Sequence, residues 1–101
     1  MKLVRDRIPE LATANGHSGS FQQATEAEYA RSLRAKLLEE AREAATASPA
    51  TLVEELGDVL QVLYALAIEA GYSAADVECA RARNARTHGT YTRRILWHPP
   101  T

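Results

Sequence analysis

The chain has a single cysteine in 101 residues, so Cys79 cannot close an intramolecular disulfide and nothing calls for an oxidising compartment. Cys79 reads as a small helix residue without chemistry. No apolar run approaches the roughly 18 residues of a membrane span, and MKLVRDRIPEL lacks the apolar core of a signal peptide. The expectation is a cytoplasmic protein with no membrane partner. A basic excess is missing too: the formal net charge is −1, which argues against a dedicated nucleic-acid binder. The histidines His17, His88 and His98 are scattered, and neither a P-loop nor a G-x-S-x-G elbow occurs, so zinc, nucleotide-loop and serine-hydrolase chemistry lack support. Acids are absent from Cys79 onward, where Arg81, Arg83, Arg86, Arg93 and Arg94 fall. An acidic middle followed by a basic end suits a ligand that carries both metal ions and phosphates.

What is present is helical. Length and composition fit one soluble globular domain, 1–101, divided into an N-terminal segment and loop (1–24), a helical core (25–88) and a tail (89–101). A short helix is predicted from Pro9 to Ala14, closed by Asn15-Gly16. His17 to Gln23 is a Gly- and Ser-containing connector and a candidate lid. Thr25 and Glu28 form a capping-box pattern that starts a long helix ending near Ala47. Ser48 as N-cap and Pro49 at the first helical position predict a second long helix that ends at Ala70-Gly71. Ser73 with Asp76 caps a third, Ala74 to Thr87, and His88-Gly89 ends it. Tyr91 to Trp97 alternates enough for a short strand, with Lys2 to Ile8 as its candidate partner. The expected fold is all-α: two long antiparallel helices plus shorter ones, with a small terminal strand pair.

The stretch from Leu38 to Leu60 carries two pairs of acids three residues apart, Glu40 with Glu43 and Glu55 with Asp58. Residues at this spacing are neighbours on one helix face. On the first long helix the apolar stripe is Ala30, Leu33, Leu37, Ala41 and Ala44, and at about 100° per residue Glu40 points roughly 20° from Leu33. A purely structural helix does not put a carboxylate there, because a buried unpaired charge costs several kcal/mol. Glu43 lies at the rim of the stripe and Glu39 faces away. On the second helix Leu52, Leu56, Val59, Leu63, Leu66 and Ala70 form an apolar sector that Leu60, Val62 and Ala67 widen beyond what one partner helix covers. Glu55 again points inward, Asp58 sits at the rim and Glu54 faces water. Four convergent carboxylates repel unless cations neutralise them. All-oxygen ligation suits Mg²⁺ or Mn²⁺, whereas a di-iron bundle would want His in the second position of each pair. The chemistry such a site allows is metal-assisted hydrolysis at phosphorus.

Three segments, KLVRDRIPEL (Lys2 to Leu11), KLLEEAREA (Lys36 to Ala44) and EELGDVLQVLYAL (Glu54 to Leu66), stand in an order that resembles the MazG-like all-α nucleoside triphosphate pyrophosphohydrolases. Within them the likeness is to the small phosphoribosyl-ATP pyrophosphohydrolase-like group. The resemblance implies ligation of Mg²⁺ by Glu40, Glu43, Glu55 and Asp58, and cleavage between the α and β phosphates of a nucleotide to give a monophosphate and pyrophosphate. It also implies a bundle completed by oligomerisation, as a homodimer or homotetramer, which the over-wide apolar sector asks for independently. Glu39 is the extra acid beside the cluster that can take a proton from water. The third helix departs from the group: His88-Gly89-Thr90-Tyr91 replaces an R-G-G-F-like turn, and Asn84 stands where lysine is common. Arg81 and Asn84, from their projection, and Arg86, from its charge, are the candidate phosphate contacts. Arg5 and Asp6 mark the group without an assigned role; a salt bridge from Arg5 to the bundle and a substrate contact both stand open. Two other functions stay open beside nucleoside triphosphate hydrolysis: a non-catalytic nucleotide-sensing or partner-binding helical dimer, and specific hydrolysis of phosphoribosyl-ATP in histidine synthesis.

Overall fold

The computed structural model describes residues 2–17 and 19–101. Four helices follow one another: α1 Ile8–Ala14, α2 Glu26–Thr46, α3 Leu52–Glu69 and α4 Ala74–His88. Among the described residues there is no strand, so the fold is all-α.

The helix ends are built from local chemistry. Thr25 Oγ1 accepts from the Glu28 backbone N–H at 3.1 Å and Glu28 Oε1 accepts from the Thr25 N–H at 2.8 Å, which closes the capping box of α2. Ser73 and Asp76 do the same for α4, at 3.1 and 2.8 Å. α3 ends in a reciprocal pair of bonds, Tyr72 N–H to the Ala67 carbonyl (2.8 Å) and Gly71 N–H to the Ile68 carbonyl (3.0 Å). That closure needs a left-handed residue after the cap, which Gly71 supplies at φ 91°.

Two features differ from the sequence expectation by more than a residue. α3 starts at Leu52 with Thr51 as its N-cap residue, three residues after the predicted Ser48-Pro49 start. Ser48 to Thr51 instead forms a turn closed by Thr51 N–H on the Ser48 carbonyl at 3.1 Å, and the fixed φ of Pro49 fits the second position of such a turn as well as a first helical position. The predicted strand pair is absent. Tyr91 to Arg94 is a turn, with Arg94 N–H on the Tyr91 carbonyl (3.1 Å) and Arg94 at φ 55°, which breaks the extended run that alternation suggested. Lys2 to Arg5 lies without regular structure before a turn into α1, closed by Ile8 N–H on the Arg5 carbonyl at 3.0 Å. Of the predicted connector, Ser18 lies outside the described residues; His17 and residues 19–23 are exposed and carry neither helix nor strand.

α2 and α3 pack along each other as a helical hairpin, and α4 packs on α3. The fully buried part of this core is small: Leu33 from α2 and Ala67 from α3. Val53, Leu56, Leu60 and Ile68 of α3 stay exposed; at about 100° per residue they share an arc of roughly 120° on one side of the helix. Of the apolar sector read from the sequence, Leu52, Leu56 and Leu60 are thus left open by one chain, and Val53 and Ile68 extend the open side beyond that reading. No helix is long and apolar enough to cross a membrane among the described residues.

Candidate metal and phosphate site

α2 and α3 bring three of the predicted acids together. One carboxylate oxygen each from Glu40, Glu55 and Asp58 lie within 4.8 Å of one another. The helical period places Glu40 on the Leu33 face of α2, and Glu55 and Asp58 one turn apart near the start of α3. The positive N-terminal end of α3, where Glu54 and Glu55 occupy the first turn, favours carboxylates there. Glu43 is exposed one turn further along α2 and stands outside the trio.

Burial makes the trio unusual. The Glu40 side chain is only 13% exposed, and Glu40 Oε2 and Glu55 Oε2 are buried without any hydrogen-bond partner. An acceptor left so costs about 1–3 kcal/mol, more when charged. A divalent cation is what the donor set fits: only carboxylate oxygens, one from each acid mutually close, on residues of which two also hold an unpartnered buried oxygen.

Cations from the chain itself partly answer the charge. Lys36, one turn before Glu40, holds Nζ at 3.4 Å from Glu40 Oε1 and 3.3 Å from Glu39 Oε2. Lys2 Nζ is 3.0 Å from Glu39 Oε1. Arg5 Nη2 donates to Asp58 Oδ1 at 2.6 Å, so of the two roles left open for Arg5 the bridge to the bundle is made. These contacts lay the N-terminal segment across the hairpin and enclose a cleft of about 400 Å³. Tyr29, Leu33 and Glu40 line its α2 side, Asp58 and Val62 its α3 side, and Leu3 to Asp6 its edge. The cleft is thus apolar at one end and charged at the other, where Arg5 and Lys36 line it beside Glu40 and Asp58.

The remaining candidates are placed elsewhere. Glu39 is outside the acid trio and held by two lysines; the Lys2 hydrogen bond, with further help from Lys36, keeps its carboxyl below the ordinary range. Arg81, Asn84 and Arg86 are exposed on α4 and do not line the cleft. Arg81 is engaged by Glu78 of its own helix, with Nη2 to Oε1 at 2.6 Å and Nε to Oε2 at 2.9 Å. That bidentate pair holds the Glu78 carboxyl down and the guanidinium up. Lys36 went unremarked in the sequence, although its i,i+4 spacing to Glu40 was a readable signal.

The model of the family described as phosphoribosyl-ATP pyrophosphohydrolase matches residues 7–95. No curated protein and no solved structure gives a significant match.

Proposed function

The chain belongs to the phosphoribosyl-ATP pyrophosphohydrolase family, and from that premise we propose that it is a Mg²⁺-dependent nucleotide pyrophosphohydrolase. In this reading it cleaves the α–β bond of a nucleoside triphosphate or related nucleotide, giving a monophosphate and pyrophosphate. One observation carries the metal dependence: Glu40 and Glu55, each with a buried carboxylate oxygen that has no partner, cluster with a third acid, Asp58.

Glu40, Glu55 and Asp58 hold the ion, with Glu43 as the candidate fourth ligand. A divalent ion so bound supplies charge stabilisation at the phosphoryl oxygens and a more acidic water. Glu39 is the candidate proton acceptor. Its lysine partners keep it ionised at neutral pH, the form a base requires, but also lower its basicity, so it serves through position more than strength. Arg81, Asn84 and Arg86 enter this reading only across an interface between copies of the chain. Such an interface is proposed here as part of the same unit, a homodimer or homotetramer in which a second copy covers the exposed side of α3.

The position of α4 favours a second reading, in which the site binds metal and nucleotide without turning over. The experiment that separates the two is a panel of nucleoside triphosphates, deoxynucleoside triphosphates and phosphoribosyl-ATP with Mg²⁺, scored for pyrophosphate. Release from at least one substrate, abolished by chelator, supports the enzyme. Calorimetric nucleotide binding with no release across the panel supports the sensor.

A further inference from the structure

Two cationic side chains stand at the acids, and they are held differently. Lys36 is 17% exposed and is engaged by Glu39 and Glu40 together. Arg5 is 60% exposed, comes from a segment without regular structure, and uses one N–H on Asp58. A guanidinium has five N–H donors in a planar fork, so most of this one remains available at the charged end of the cleft. The arginines of α4 are not there to compete for the role.

We infer that Arg5 is the substrate-phosphate contact of this cleft, parked on Asp58 in the free protein and transferred to a phosphate oxygen when the acids are occupied. The inference rests on the proposed function and names the group that meets the substrate's phosphates. Asp58 cannot give its charge in full to Arg5 and to a divalent cation at once, so its hold on Arg5 weakens as the acid trio is neutralised. A phosphate lying against the trio then offers the freed guanidinium an anion with matching bidentate geometry, which a lysine would meet only as a point charge. Because Arg5 starts 2.6 Å from one of the acids, the transfer needs a side-chain swing and leaves the turn into α1 in place.

The signature is a pair of opposite effects. Removing Arg5 takes a competing cation away from Asp58, so the acids bind Mg²⁺ more tightly, while phosphate binding weakens. A strap that merely holds the fold together does not split the two ligands in this way. The test is calorimetry on wild type, Arg5→Ala and Arg5→Lys, first with Mg²⁺ alone and then with inorganic pyrophosphate at saturating Mg²⁺. Arg5→Ala is expected to bind Mg²⁺ severalfold more tightly and pyrophosphate about tenfold or more weakly, the loss of one charged hydrogen bond; Arg5→Lys recovers part of the pyrophosphate affinity. Should Arg5→Ala lose its helical circular dichroism, Arg5→Gln and Arg5→Lys carry the same comparison. Unchanged pyrophosphate affinity, or both ligands weakening together, overturns the inference. Wild type that takes Mg²⁺ but no pyrophosphate also overturns it, leaving the hydrolase reading to the release assay; wild type that takes no Mg²⁺ overturns both.

Discussion

Glu55 holds a buried oxygen that accepts nothing and places a carboxylate oxygen within 4.8 Å of oxygens from two other acids, so the protein without metal carries it at a cost. Glu55→Gln keeps the shape and removes the charge. It is expected to unfold later than wild type in chelator, by about 1 kcal/mol, to lose the stabilisation that Mg²⁺ gives wild type, and to release no pyrophosphate while keeping its helical circular dichroism. Thermal melts with and without Mg²⁺ check this, and turnover retained in the variant removes the acids from the mechanism. The inward aim of Glu40 and Glu55 was legible because a 3.6-residue period fixes direction. The sequence left a bridge from Arg5 to the bundle open beside a substrate contact, but Asp58 as its partner was not legible: Arg5 comes from a segment without period, and only the fold brings positions 5 and 58 together. The same segment makes a pH prediction. The Lys2 hydrogen bond lowers Glu39 below its ordinary 4.5, and it raises Lys2 above its ordinary 10.5. A lowered carboxyl stabilises above 4.5 and stops doing so as pH falls through its lowered value. A raised amine stabilises below 10.5 and stops as pH rises through its raised value. The segment should therefore stay docked between these limits and loosen beyond either, sooner in high salt because the pair is exposed. Amide protection of Leu3 and Val4 that is indifferent to acid would count against the pair as its anchor.

Helices α2 and α4 announce themselves through short-range chemistry, since a capping box is complete within four residues and needs no tertiary partner. Both were legible for that reason. The start of α3 was not, because Ser48-Pro49 suits a turn as well as a helix start, and the outcome depends on where the chain must reverse to lay α3 on α2. The terminal strands failed for a related reason: alternation over a few residues stabilises nothing without a paired neighbour, and the N-terminal segment is held by ion pairs on the hairpin instead. Because α3 is the one helix that α4 packs on among the described residues, its own cap should matter to it. Ser73→Ala is expected to cost about 1 kcal/mol, read as a lower urea midpoint with an unchanged slope. A cost near zero would mean that α4 is already frayed at its first turn.

The chain as a whole is more extended than its length predicts. Its radius of gyration is 17.6 Å, over extents of 54 × 34 × 29 Å, against about 13 Å for a compact domain of 100 residues. Leu33 and Ala67 alone are fully buried among the described residues, too little apolar burial to offset the entropy of ordering four helices. The missing burial is available on the open side of α3, where Val53 is 74% and Ile68 67% exposed with Leu56 and Leu60 between them. Covering that side with a second copy adds roughly 1–2 kcal/mol for each such residue, and a self-complementary face is the natural route to a twofold pair. Leu56 and Leu60 could be read from the sequence as part of an over-wide apolar sector, whereas Val53 and Ile68 fall outside it; what covers the face could not be read, because the period reports that a face is apolar and says nothing of its partner. If a second copy does so, folding and association are one equilibrium, and the unfolding midpoint must rise with protein concentration. Leu60→Glu would then set two charges facing each other in the pair, and burying an unpaired carboxylate costs several kcal/mol. The variant is expected to sediment as a monomer and to melt well below wild type at every concentration. A wild type that sediments as a monomer, with a midpoint independent of concentration, would leave the open face of α3 to another occupant and would remove the only route by which Arg81, Asn84 and Arg86 reach the acids.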